Sequence, residues 1–182
     1  MKNIITIIFC MMIINLNGQQ WIDDSCNKKA SKIVNKAIDH LSNIEYTMAY
    51  AMANAALLID DDCQCAHLVK AGATSPNADW GSREAKLSAI DESKLGNVEK
   101  VWFSMLKATL SSDSETYQKS LADGLKSNPN SPLLNWLSRD GSSFEDNKKF
   151  AEMFPKLASG SYNTVSYTHL TLPTIPGGYV AV

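Results

Sequence analysis

The sequence predicts an all-α fold of stacked antiparallel helical hairpins, and three observations lead to this prediction. Between residues 19 and 164, apolar residues recur at steps of three and four, the period of a helix with one buried face. No stretch of that region alternates apolar and polar residues, so no strand is predicted there. Short turns rich in Asn, Asp, Gly and Pro separate helices of about 10 to 16 residues, a length typical of helical hairpins.

Three helices are predicted in the first half of this region. The first covers 30–41, where one apolar stripe has lysines on the other faces. The second covers 44–59 and ends at three consecutive aspartates. Its small residues lie on one side and let a neighbouring helix approach closely; they are Ala49, Ala53 and Ala56. The third covers 65–73, and we expect Gly72 and the following Ser-Pro turn to stop it.

The second half contains further predicted helices. They begin at Ser82, Asn97, Ser114, Ser131 and Phe144. The helix from Asn97 is the strongest prediction, because its apolar residues, including Trp102, share one face. Asn128 and Pro129 close the helix before them, and Pro132 suits the first turn of the next one.

Two turns of the chain look alike, one centred on Asp61 and the other on Pro129. Each has a helix end, an Asn/Asp-centred break and an apolar helix start, and they stand 68 positions apart. That distance is twice the period of about 34 residues that is typical of tetratricopeptide repeats. Over residues 30–137 the chain therefore resembles a degenerate, TPR-like secreted bacterial protein. Asp61 departs from the pattern by standing at the turn-proline position, and the middle repeat near 90–95 matches poorly.

The resemblance implies a stack of helical hairpins with a concave groove. Each hairpin has apolar residues on two faces, and stacking buries both of them. Such grooves bind extended peptides or partner helices. A non-repetitive helical bundle remains the alternative architecture for the same helices.

Residues 1–18 have the features of a secretory signal peptide. Lys2 precedes a short apolar run over 4–14, and Gly18 supplies a small residue before Gln19. We therefore expect an exported protein, periplasmic or secreted, with no stable membrane span after signal cleavage. An uncleaved anchor is the alternative.

The carboxyl end differs from the rest of the chain. Residues 165–182 contain no Lys, Arg, Asp or Glu, and the decapeptide over 165–174 resembles a translated transposon-end sequencing adapter. We expect 165–182 to be an artefactual, disordered tail, so that 19–164 is a helical domain from a longer protein. A genuine Thr-rich strand is the alternative. A catalytic region beyond residue 164, such as that of a hydrolase, stays open.

Cys63, Cys65 and His67 form the most distinctive cluster of reactive residue types. Metal sites prefer longer spacing between cysteines, and on a helix Cys65 and His67 would lie on opposite sides. No metal site is therefore predicted. In an oxidising compartment, a disulfide from Cys26 to Cys63 or to Cys65 is expected, which leaves one thiol free.

Tryptophan, aspartate and histidine residues supply the other candidates for a binding or metal site. Trp80 lies in a polar loop and is the predicted binding residue, whereas Trp102 is predicted to lie in the core. The aspartates at 60–62 lack the glycine and the later glutamate of a calcium loop. His40 is interpreted as an ordinary surface residue. No catalytic motif stands out, and neither a cofactor nor a metal is expected.

The net charge of the chain gives no support for a nucleic-acid partner. Lys and Arg total 17 against 19 acids, for a net charge of -2, so no basic excess favours nucleic-acid binding. The sequence predicts a non-enzymatic exported module that binds a protein or peptide partner. The alternative is a secreted helical bundle that binds a small apolar ligand and has a structural disulfide.

Overall fold

The computed structural model describes residues 19–24, 26–74 and 81–158. Within these ranges the protein is all-helical, with nine α-helices, one 3-10 helix and no strand, which confirms the prediction of an all-α fold. The predicted signal peptide over 1–18, the candidate binding residue Trp80 and the predicted tail over 165–182 lie outside the described residues.

The α-helices are numbered here in chain order. They are α1 (Lys28–Ser42), α2 (Tyr46–Leu57), α3 (Gln64–Ala73), α4 (Arg83–Ser88), α5 (Asn97–Leu110), α6 (Ser114–Ser127), α7 (Pro132–Ser138), α8 (Phe144–Met153) and α9 (Pro155–Ala158). The 3-10 helix Glu92–Lys94 lies between α4 and α5, in the region where the repeat pattern matches poorly.

Side-chain caps begin five of these helices. In each case an oxygen of the residue before the helix accepts a backbone N–H of the first turn, which offsets the loss of hydrogen bonds at a helix start. The capping residues are Asn27, Ser82, Asp113, Ser131 and Ser143. Local sequence therefore fixes where these helices begin.

The first three helices pack together, since α1 contacts α2 and α3 contacts both. Ala49, Ala53 and Ala56 of α2 are fully buried, so these small side chains let the helices approach closely. Next, α3 contacts α4 and α5, and α5 pairs with α6. The short helix α7 packs on α5 and α6, and α9 packs on α8.

Helix α3 ends at Ala73, the predicted last residue, and Gly72 lies within its last turn. A Cβ at Gly72 would lie 3.1 Å from the Cζ2 atom of Trp102. The glycine therefore allows α3 to lie close against α5. Trp102 itself is buried in the core.

The second helix is shorter than the predicted range of 44–59. Ile44 has a φ of 65°, which is incompatible with a right-handed helix, so α2 begins after it at Tyr46. At the other end Leu58 and Ile59 follow the helix and are exposed.

The segment 19–24 joins the first helix to the last ones. Trp21 and Ile22 are buried, and the Asn35 side chain of α1 pairs with the N–H and C=O of Ile22, each at 3.1 Å. The Leu133 N–H of α7 donates to the Trp21 carbonyl, and the Trp21 ring stacks on Phe150 of α8. This segment is therefore part of the folded unit.

Candidate functional site

One face of α2 is apolar and exposed to solvent. Met48, Ala51, Ala55 and Leu58 follow each other at steps of three and four, which places them along one side of the helix. We call these four residues the outer face of α2. Met48 is 49% exposed and Leu58 is 89% exposed. Ile59, which directly follows Leu58, is 45% exposed.

The outer face lies on a helix that carries no charge. From Tyr46 to Ile59 the sequence contains no Asp, Glu, Lys, Arg or His. The opposite side of α2 is buried, as described above, so apolar residues occupy both sides. The uncharged polar residues Thr47 and Asn54 are exposed beside the outer face. An exposed apolar patch of this kind marks an interaction surface. Nothing in the part of the chain that the structure describes covers the outer face.

The carboxyl end of α2 is electronegative. Asp60, Asp61 and Asp62 follow it, and its last turn contains no basic residue. The helix dipole adds partial negative charge at the same end. The Asp60 carboxylate accepts the Asn27 N–H at 2.6 Å, and both Asp62 oxygens lie 2.7 Å from the Lys94 Nζ atom. Asp61 is exposed beside them.

The Asp62–Lys94 pair is an exposed ion pair. The hydrogen bond from Lys94 lowers the pKa of Asp62, and the same bond raises the pKa of Lys94. Exposed pairs of this kind contribute little to folding stability. The charges of Asp91 and Asp61 also lie close enough to Lys94 to raise its pKa.

Cations lie on another side of α2. The Nζ atoms of Lys70 and Lys86 lie 5.4 Å and 5.5 Å from the centre of the Tyr50 ring, which places one lysine of α3 and one of α4 against α2. Burial, with a smaller contribution from Lys70, lowers the pKa of Lys86. The outer face thus lies between an acidic helix end and a basic flank.

The cysteine and histidine cluster does not form a joint site. Cys26 and Cys63 form a disulfide, which is the first of the two pairings that the sequence left open. Cys65 is free and buried, and burial, then Glu99 and Asp24, raise its pKa well above the ordinary value. A thiol held in its protonated form is a poor nucleophile and a poor metal ligand.

The Cys65 thiol contacts the carboxylate of Glu99. This glutamate is fully buried in the first turn of α5, where its carboxylate accepts the Gly96 N–H and a hydrogen bond from the Cys65 thiol. The contact joins α3 to the start of α5. Cys65 therefore acts as a packing and hydrogen-bonding residue.

His67 lies beside the aspartates at the end of α2, with the Asp61 backbone hydrogen-bonded to it and the Asp62 charge close by. Half-burial of His67, with a smaller contribution from Lys70, lowers its pKa. Within the described ranges, no group of three or more His, Cys, Asp or Glu side chains is arranged to hold a metal ion. His40, interpreted as a surface residue, lies against the Glu45 carboxylate at the start of α2.

The tryptophans of the described residues are partly or wholly packed. Trp21 and Trp102 are buried, and Trp136 is half-buried with the Arg139 guanidinium 5.6 Å from its ring. These three therefore contribute to packing in the folded chain. Trp80, the predicted binding residue, lies outside the described residues and stays a prediction.

Two open clefts lie near α5. One, of about 520 Å³, separates α5 from α6 where the facing residues are small, and its lining includes Lys100, Ser104, Ser120 and Asp123. The other, of about 420 Å³, lies between the segment 19–24 and the turn before α7. Both are open surface clefts with many polar side chains, in contrast to the outer face of α2.

Comparisons with protein-family models, with curated proteins and with solved structures found no match for this chain. A separate search of the described helices found none that is long and apolar enough to cross a membrane.

Sequence reasoning identified the buried side of α2 and missed its outer face. Ala49, Ala53 and Ala56 were recognised as a packing surface, but Met48 and Leu58 were not singled out. The available signal was the absence of charge over the 14 residues from Tyr46 to Ile59, which include the whole of α2. A surface helix normally carries charged residues on its solvent side.

Proposed function

We propose that this chain is a non-enzymatic, exported, TPR-like module that binds a protein or peptide partner through the outer face of α2. One observation carries the proposal. An uncharged helix with 49% of Met48 and 89% of Leu58 exposed presents an apolar stripe to solvent. An exposed apolar stripe lowers solubility and promotes aggregation unless a partner covers it.

Two further observations support the class of protein. The contact of α3 with both α1 and α2 fits the stacking of helical hairpins. The Cys26–Cys63 disulfide fits an oxidising compartment and therefore export.

The proposal is tested by comparing the wild-type chain with Ala51→Glu. This substitution places a charge in the middle of the outer face, on an exposed position where folding does not require alanine. Immobilised protein is incubated with an extract of the source cells, and the retained proteins are identified by mass spectrometry. We expect a specific partner on the wild type and its loss on Ala51→Glu.

Ala122→Glu is the matched control, because Ala122 is an exposed alanine of another helix, α6. It makes the same chemical change away from the outer face. Equal retention of the partner by all three proteins would contradict the proposed binding surface. Loss on both variants would also count against it.

A further inference from the structure

The chemistry around the outer face indicates what kind of partner fits it. We propose that the outer face of α2 binds an amphipathic helix that carries lysine or arginine at its amino end, next to its apolar stripe. This inference rests on the proposed function and adds the class of partner to it.

The shape of the outer face favours a helix. Its residues are spaced by three and four, and the two central ones, Ala51 and Ala55, are small. Small residues at the centre of a helix face let a second helix approach closely, while Met48 and Leu58 supply larger contacts at each end. The face is about 15 Å long, since Met48 and Leu58 are ten positions apart at about 1.5 Å per residue.

The charge around the carboxyl end of α2 favours a basic partner end. Three aspartates and the negative end of the helix dipole meet there, and the Lys94 ammonium forms an ion pair with Asp62. Leu58, the most exposed apolar residue of the face, lies two positions before the first of them, Asp60. An apolar contact at Leu58 therefore brings a flanking residue of the partner close to Asp61.

The direction of the partner follows from the same charges. A partner helix that runs antiparallel to α2 brings its amino end, with its positive dipole, to the carboxyl end of α2. Lysine or arginine at that amino end adds to the attraction. In an antiparallel pair, a second copy of this chain would instead bring Glu45 toward the aspartates, so like charges would meet.

The test uses two synthetic peptides of about 14 residues, each with a Leu and Ala stripe at helical spacing. One has two lysines at its amino end and the other has two glutamates. The same side-chain staple holds both in a helix, so that helicity does not differ. Binding to the full chain is measured by fluorescence anisotropy at low ionic strength, since salt screens such charges.

We expect the lysine peptide to bind wild type roughly threefold or more tightly than the glutamate peptide, the size typical of charges at an interface rim. The variant Asp61→Lys should reverse that preference, because it inverts the charge beside Leu58. Ala51→Glu should weaken both peptides at least roughly tenfold, as expected at the centre of an apolar interface. Ala122→Glu should bind as wild type does.

Different failures have different meanings. If binding depends on Ala51 but both peptides bind equally, the basic partner is wrong and the proposed binding surface stands. If neither peptide binds, the helical partner is wrong, and the proposed function is judged by the capture experiment alone. Self-association of the wild type that Ala51→Glu abolishes would overturn the inference in favour of a second copy. Binding to neutral lipid vesicles with the same dependence would overturn it in favour of a membrane.

Discussion

At the scale of single residues, Gly124 sets the distance between α5 and α6. A Cβ at this position would lie 2.6 Å and 2.9 Å from the two γ-methyl carbons of Val101. Alanine normally stabilises a helix interior relative to glycine by about 1 kcal/mol. Here the overlap with Val101 opposes that gain.

We predict that Gly124→Ala lowers the free energy of unfolding by about 1–2 kcal/mol, because overpacking outweighs helix propensity. Urea unfolding followed by circular dichroism measures the change. In a Val101→Ala background the same substitution should no longer be destabilising. An increase in stability for Gly124→Ala alone would contradict the close approach of α6 to α5.

His67 is predicted to make stability depend on pH. Its pKa in the folded chain is lowered from the ordinary value of 6.5, first by burial and then by Lys70. The unfolded chain therefore binds the proton more readily, and folding stability falls as the pH decreases below about 6.5. His67→Gln should lose less stability than wild type between pH 7.5 and pH 5.5.

The measurement is urea unfolding of both proteins at the two pH values. His40→Gln is the matched control, since His40 lies against Glu45 at the other end of the α1–α2 pair and leaves His67 in place. If His67→Gln and wild type lose equal stability on acidification, the prediction that protonation of His67 destabilises the folded chain is wrong.

At the scale of elements, the Cys26–Cys63 disulfide connects the residues before α1 to the start of α3. The two cysteines are separated by 37 residues, so the bond encloses α1 and α2 in one covalent loop. The Asn27 N–H also donates to the Asp60 carboxylate across the same junction. The disulfide therefore holds the pair that presents the outer face.

Replacing both cysteines, in Cys26→Ser/Cys63→Ser, should destabilise the chain by about 3–4 kcal/mol, the value expected from a loop of this length. The double variant should also unfold identically with and without reductant, whereas wild type should lose stability when reduced. Equal urea midpoints for reduced and oxidised wild type would contradict a stabilising role. Cys65 stays in both proteins, so it does not account for the difference.

The sequence was sufficient for the helices whose first turns have their own signals. Pro132 suits the first turn of the helix predicted from Ser131, and the structure places a helix there. The helix predicted from Phe144 also begins at that residue. From α4 to the start of α5 the sequence was less informative. The six-residue helix α4 and the 3-10 helix after it are too short to show a periodic apolar pattern. The packing role of Gly72 could not be predicted, because local sequence does not reveal that Trp102 packs against it.

The candidate site could be predicted only in part. Residue spacing shows that α2 has two apolar sides, but it does not show which side its neighbours cover. That choice depends on how α1 and α3 pack, which is a property of the tertiary structure. Cysteine and histidine are recognisable in a sequence as reactive residue types, as at Cys63, Cys65 and His67. An apolar residue looks the same in a sequence whether it is buried or exposed.

At the scale of the whole molecule, the segment 19–24 ties the two ends of the described chain together. Trp21 contacts Trp136 of α7 and Phe150 of α8, and its Nε1 atom lies 3.3 Å from an Asp39 oxygen of α1. The Gln19 side chain extends this connection to the Met153 carbonyl. The segment thus makes α1 and α8 parts of one cooperative unit.

Trp21→Ala should therefore destabilise the molecule by about 3–5 kcal/mol, as expected for a buried aromatic residue. Hydrogen exchange read by mass spectrometry should show faster exchange in α8 and in α1 together. The α5–α6 pair, which Trp21 does not join, should change least. Faster exchange confined to α1 would show that the segment does not connect the two ends.

The central claim is that the outer face of α2 is a binding surface, and methionine oxidation tests it most directly. Met48 lies on that face and is 49% exposed, Met153 on α8 is 37% exposed, and Met105 is buried. Hydrogen peroxide should oxidise Met48 and Met153 in the free chain and spare Met105. With the captured partner or the lysine peptide bound, we predict that Met48 becomes protected while Met153 is still oxidised. Protection of Met153 without protection of Met48 would contradict the account, because it would place the partner away from α2.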